Sequence, residues 1–171
     1  MQMSDTRQIA VPPEEVYAAL LDPDMLQKCV PGAQEVTGSV EDGYEATVVQ
    51  KVGPVKATFK GEVTISDLVP NRSMKIDGSG KGGAAGFAKG GAEVTLTEKD
   101  GGTELSYDVE AKVGGKLAQL GSRIIDGFAK KMADQFFQNL QDQLEGPAEG
   151  DAAASADEAP AKKGWFGRSK G

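Results

Sequence analysis

Between Val36 and Val113 the sequence alternates apolar and polar residues over six consecutive segments, and this period of two constrains the fold more than any other feature. The segments are Val36–Val40, Tyr44–Val52, Val55–Leu68, Ser73–Ile76, Ala92–Thr97 and Glu104–Val113. Joints such as Glu41-Asp42-Gly43, Gly53-Pro54, Pro70-Asn71-Arg72 and Lys99-Asp100-Gly101-Gly102 are turn sequences. Parallel neighbours need a crossover of about a dozen residues or more, so joints this short predict an antiparallel meander. A sheet with one apolar face must be covered, and the chain offers one long helix to cover it. Over Lys116–Leu144 the residues Leu117, Gly121, Ile125, Phe128, Met132, Phe136, Leu140 and Leu144 fall three or four apart, a single broad apolar face. Such a helix is about 43 Å long at ~1.5 Å per residue.

Ahead of the meander, Ser4–Val11 reads as a strand. Pro12-Pro13-Glu14-Glu15 is a helix start, with proline and acids in the first turn, and the helix runs Glu14–Leu21. Pro23 ends it and begins a second helix over Asp24–Val30, which stops at Pro31-Gly32. The order is strand, two short helices, six antiparallel strands and a long helix. This predicts an α+β helix-grip fold over residues 1–145, a curved antiparallel sheet wrapped around the C-terminal helix. No run approaches a membrane span, and the first residues show no apolar signal segment.

From Gly146 the composition shifts to Ala, Gly, Glu and Asp, with no large apolar residue until Trp165-Phe166. A segment of that kind buries too little surface to offset its ordering entropy, so residues 146–171 are expected to be a disordered tail. Its four acids precede its four basic residues, which leaves the net charge of −7 on the body. The end holds Lys162, Lys163, Trp165, Phe166, Arg168 and Lys170. Aromatic rings flanked by cations suit a bilayer interface. A docking peptide with Trp165 as anchor, or a solvated end, fits the same residues.

Composition removes several chemistries. There is no histidine, so histidine acid–base work, Ser–His and Cys–His dyads and His-ligated zinc are excluded. Cys29 is the only cysteine, which excludes an intrachain disulfide and cysteine metal clusters; it reads as a small buried hydrophobe. Tyr17, Tyr44 and Tyr107 are scattered and no paired carboxylates stand out, so no catalytic residue and no metal site are assigned. The acidic balance argues against a nucleic-acid partner.

Two features point to binding instead. Seven glycines fall between Gly78 and Gly91, including a formal G-x-G-x-x-G at Gly78, Gly80 and Gly83, but no helix or βαβ unit follows as a dinucleotide site requires. The tract reads either as a mobile or bulged joint between strands or as a gate (Gly80, Gly82, Gly83, Gly86) with Phe87 as its apolar plug. Gly115, Gly121 and Gly127 interrupt the long helix and either permit close packing on the sheet or leave room for an apolar ligand beside Leu117, Leu120, Ile124 and Phe128. Lys56, Lys60, Lys81, Lys89 and Lys116 are the solvent face of the strands, a ring at a pocket entrance, or a dock for an acidic partner.

Four blocks carry a resemblance: Pro31-Gly32; Gly53-Pro54-Val55-Lys56-Ala57-Thr58-Phe59-Lys60-Gly61; Gly80-Lys81-Gly82-Gly83-Ala84-Ala85-Gly86-Phe87-Ala88-Lys89-Gly90; and Val113-Gly114-Gly115-Lys116-Leu117-Ala118-Gln119-Leu120-Gly121-Ser122-Arg123. In these blocks and in their order the body resembles the CoxG family of carbon monoxide dehydrogenase subunits, within the START-like (SRPBCC) superfamily. The resemblance implies a non-catalytic accessory protein of a molybdenum hydroxylase of the CO-dehydrogenase type. It implies a cytoplasmic protein, peripherally attached to the inner face of the cytoplasmic membrane, with a bound respiratory quinone (menaquinone or ubiquinone) as the expected ligand. The isoprenoid would lie along Leu117, Leu120, Ile124, Phe128 and Met132, with Phe87 and the glycine gate at the entrance. The alternatives are a recruitment or maturation factor without a ligand and a START-like small-molecule enzyme.

Overall fold

The structure, a computed structural model, describes residues 1–146. The tail expected beyond Gly146, with Lys162, Lys163, Trp165, Phe166, Arg168 and Lys170, lies outside the described residues.

Seven strands form one antiparallel sheet: β1 (Gln2–Ile9), β2 (Ala33–Ser39), β3 (Gly43–Val52), β4 (Val55–Val69), β5 (Ser73–Lys81), β6 (Phe87–Lys99) and β7 (Gly102–Gly114). The spatial order is β1-β7-β6-β5-β4-β3-β2, so the six meander strands lie side by side and β1 adds to the far edge, on β7. Helices α1 (Pro13–Leu21) and α2 (Pro23–Cys29) carry the chain from the β1 edge to the β2 edge. Prolines at the first helical positions start both, and Asp22 caps α2 by accepting from the Asp24 N–H at 2.9 Å.

Two expectations need correction. The long helix is not continuous over Lys116–Leu144. A four-residue turn of helix, α3 (Lys116–Gln119), precedes α4 (Ser122–Glu145), and the break falls at Gly121 with φ +90°. A left-handed residue cannot sit inside a right-handed helix, and glycine adopts that conformation without a Cβ penalty. The continuous part is 24 residues, about 36 Å. The glycine tract is also for the most part paired strand and not a bulged joint. β5 and β6 pair without a register shift from Ser73↔Thr95 through Gly78↔Gly90 to Lys81↔Phe87. Only residues 82–86 turn, around a single 3₁₀ turn at Gly83–Ala85.

The core is densest toward one end, where Ile9, Val16, Leu105 and Leu140 are fully buried and Thr103 donates to the Val11 carbonyl at 2.7 Å. α4 is fastened to the rest through its C-terminal half. Asn139 Nδ2 donates to the Cys29 carbonyl at 2.9 Å, and Glu145 Oε2 accepts from the Ala10 N–H at 2.8 Å. Asp134 pairs with Arg7 of β1, and Phe137 stacks on Tyr107 with ring centroids 4.8 Å apart. The N-terminal half of α4 has no such fastening, and space opens beneath it.

Candidate functional site

Strand alternation decides what faces that space. On β4 the odd-numbered residues Val55, Ala57, Phe59 and Gly61 turn inward while Lys56, Thr58, Lys60 and Glu62 are exposed. The pairings carry this phase across the sheet, so Val48, Gly80, Ala88, Ala111 and Val113 join the inner face. From the other side α4 presents Ile125, Phe128, Ala129 and Met132, one helical stripe, and Leu117 comes from α3. Between them lies a cavity of about 450 Å³. A second apolar cavity of about 270 Å³ lies deeper, bordered by Leu20, Tyr44, Ile65 and Tyr107. Val30, Val109, Ala133 and Phe136 line both, so the two chambers adjoin. The larger volume is within the usual range for small-molecule sites, about 300–1,000 Å³.

One side chain on the wall of the larger chamber is polar. Gln50 occupies an inward position of β3 between Val48 and Val52 and donates from Nε2 to the carbonyl of Pro31. That bond uses one amide hydrogen. The second hydrogen and the acceptor oxygen are left for a partner, and a glutamine amide can satisfy either a carbonyl or a hydroxyl. The sequence reading missed Gln50, although a polar residue on the apolar phase of a strand was its signal.

The expected ligand residues divide. Leu117, Phe128 and Met132 line the larger cavity. Leu120 and Ile124 do not, because the break at Gly121 turns them toward the β3–β4 turn, where both lie within van der Waals reach of the position a Cβ on Gly53 would take. Ile124 is 40% exposed. Phe87 does not enter the cavity either: it is 48% exposed, its position pairs with Lys81 and Gly114, and its ring lies over Gly114.

Of the expected gate, Gly80 faces the cavity from β5, and Gly82, Gly83 and Gly86 build the adjacent turn. Two of these glycines are set by close approach. A Cβ on Gly86, at φ +109°, would stand 2.0 Å from the Gly114 carbonyl oxygen, and one on Gly82 would stand 2.5 Å from the Phe59 ring.

The buried thiol and the three phenols of the body are held in their neutral forms. Burial pushes the Cys29 thiol up to about 11, against a small opposing pull from Lys28, so it is a thiol and not a thiolate nucleophile. Burial also raises the phenols of Tyr17, Tyr44 and Tyr107, with Asp22 adding to the effect at Tyr44 and Asp5 at Tyr107. Tyr44 donates to the Leu21 carbonyl at 2.5 Å, and Tyr17 to that of Ser73 at 3.4 Å. Among the described residues, no three acidic, cysteine or histidine side chains come together as a metal site would need. The arrangement can enclose an apolar molecule and offer it one amide.

The profile of the CoxG family of carbon monoxide dehydrogenase subunits matches residues 6–145. Among solved structures, a conserved protein from Geobacillus kaustophilus is 30% identical, with 85% of this chain and 95% of that one covered and a TM-score of 0.79. A protein from Chromobacterium violaceum (23% identity, 84% and 96% covered, TM-score 0.63) and one from Thermus thermophilus (12%, 87% and 100%, 0.64) share the fold. No match is found among curated proteins. The profile match and the Geobacillus relative agree with the helix-grip geometry of the START-like fold, and this chain belongs to the CoxG family of carbon monoxide dehydrogenase subunits.

Proposed function

We propose that the protein is a non-catalytic accessory subunit of a molybdenum-containing, CO-dehydrogenase-type oxidase, and that it carries a prenylquinone between the cytoplasmic membrane and that enzyme. The observation that carries the reading is the larger cavity: about 450 Å³, with Gln50 as the one polar side chain on its wall. An isoprenoid tail loses little hydration on leaving lipid, so the protein must replace its lipid contacts, which a wall of Val, Leu, Phe and Met does. A quinone headgroup adds two carbonyls, and a quinol two hydroxyls. The free N–H of Gln50 serves the first and its Oε1 the second, so one residue accommodates both oxidation states.

In this reading Leu117, Phe128 and Met132 contact the ligand directly. Entry is at the end closed by the Gly82–Gly86 turn, Phe87 and the Leu120–Ile124 segment, with Gly80, Gly82, Gly83 and Gly86 as the gate. Attachment in this account is peripheral, and no helix among the described residues is long and apolar enough to cross a membrane. The test is transfer: the protein is incubated with vesicles carrying menaquinone, separated by flotation, and its quinone content read by absorbance. About one quinone per chain supports the reading. No quinone in the protein fraction, at any loading of the vesicles, refutes it.

A further inference from the structure

The half of the sheet that holds the larger cavity on its inner face has a one-sided charge on its outer face. The three stretches that build this end are residues 47–61, 78–92 and 111–125. They contain Lys51, Lys56, Lys60, Lys81, Lys89 and Lys112 on the outer face of the sheet, Lys116 and Arg123 on the helices at the same end, and no Asp or Glu. In a chain of net charge −7, this end carries +8 and the remainder −15. All eight cations are exposed, and none forms an ion pair among the described residues.

The register makes the arrangement costly. Lys51 faces Lys56, Lys60 faces Lys81, and Lys89 faces Lys112, three directly opposed like-charge pairs on adjacent strands. Such pairs destabilise a sheet, and the acids that would relieve them are present but kept to the other half, resuming at Glu62 and Glu110, the next outward positions on β4 and β7. Phe87 stands in the same outward row, opposite Lys81, and Ile124 at the same end; these are two of the four exposed large hydrophobic residues among the described residues.

We infer that this lysine-bearing end of the body is itself a docking face for an anionic lipid bilayer. Charge complementarity selects an anionic surface, and the residue types select lipid over protein. Seven of the eight cations are lysine, which suits a diffuse layer of headgroups, whereas protein interfaces are depleted in lysine and favour the bidentate fork of arginine. An exposed phenylalanine among the lysines supplies the interfacial contact that charge alone does not. The inference deepens the membrane attachment proposed above. It places the attachment on the folded body, one sheet thickness from the cavity.

The experiment is flotation of the full chain with phosphatidylglycerol-containing or pure phosphatidylcholine vesicles. The key variant combines Lys51→Glu, Lys60→Glu and Lys89→Glu. Each new glutamate faces a lysine across the pair, so the variant should melt no lower than the wild type. Each lysine near an anionic surface contributes about fivefold in partition. Reversal at three sites should therefore weaken binding by at least ~100-fold after screening, while the corresponding Lys→Arg triple and Trp165→Ala/Phe166→Ala keep most of it. Wild-type binding to anionic vesicles that survives the glutamate triple overturns the docking face and leaves attachment to another segment. If the glutamate triple does not fold, retention of binding by Lys81→Ala/Lys112→Ala/Lys116→Ala has the same meaning. A wild type that ignores anionic vesicles overturns the attachment reading itself, whether an acidic protein or the chain's own Glu149–Glu158 segment covers the face.

Discussion

Ala129 lies on the stripe of α4 that roofs the larger cavity. Replacing it with leucine keeps a strong helix former in place and adds three carbons directed at open space. At ~0.8 kcal/mol per buried methylene the gross gain is about 2.4 kcal/mol. Ala129 is only half-buried, and some rotamer freedom is lost, so about 1–2 kcal/mol should remain. For a domain of this size that raises Tm by about 3–6 °C. In a packed core the same substitution would have the opposite sign, since overpacking costs about 1–3 kcal/mol. Differential scanning calorimetry of the ligand-free protein therefore distinguishes a cavity from a core filled by its own side chains. Quinone uptake should fall as Tm rises. A lower Tm for Ala129→Leu, with uptake unchanged, would refute the cavity and the carrier reading built on it.

Other substitutions test separate parts of the account. Gln50→Leu should weaken binding of a prenylquinone by about 5–10-fold, the worth of one hydrogen bond, while leaving a prenyl hydrocarbon's affinity unchanged; an equal loss for both ligands would remove Gln50 from headgroup recognition. Gly86→Ala should cost at least ~2 kcal/mol in a urea melt, because its φ of +109° and the Gly114 oxygen 2.0 Å from the new Cβ must both be relieved; a neutral result would show that this turn rearranges freely. Cys29 is fully buried with its thiol raised to about 11 from 9.0, so iodoacetamide at pH 8 should label it only after unfolding. The unfolded chain loses this proton first, so the thiol's contribution to stability is complete below pH 9 and declines as pH rises from 9 to 11. Rapid labelling of the native protein, or a Cys29→Ser variant with an unchanged alkaline decline, would contradict that environment.

The sheet was legible because its evidence is repetitive: alternation over many residues and turn residues at each hairpin leave few alternatives. The places where reading failed share a physical cause. Gly121 sits at a correct position of an apolar helical stripe, and a sequence shows the stripe but not the sign of φ. The strands β5 and β6 run on through Gly78, Gly80, Gly90 and Gly91, where alternation has no side chains to display it. Close approach explains only part of this: a Cβ on Gly90 would stand 2.4 Å from the Glu110 carbonyl oxygen, whereas at Gly78 and Gly80 it would find ordinary contacts at 3.5 and 3.9 Å. An unbroken helix would put Leu120 and Ile124 on one face with Phe128, and the break removes that relation. Gln50 could have been found by asking which residue on an inward phase is polar. The opposed lysine pairs could not, since they depend on register, which is fixed by the turns and the buried face together.

The central claim is that the cavity holds a prenylquinone in the working protein. The most direct measurement is mass spectrometry of an organic extract of the full chain, purified without detergent from a quinone-producing bacterium, beside the Ala129→Leu variant. The account predicts prenylquinone near one per chain in the wild type and a deep loss in the variant. An extract without quinone from wild-type protein that has also been incubated with quinone-loaded vesicles would contradict it.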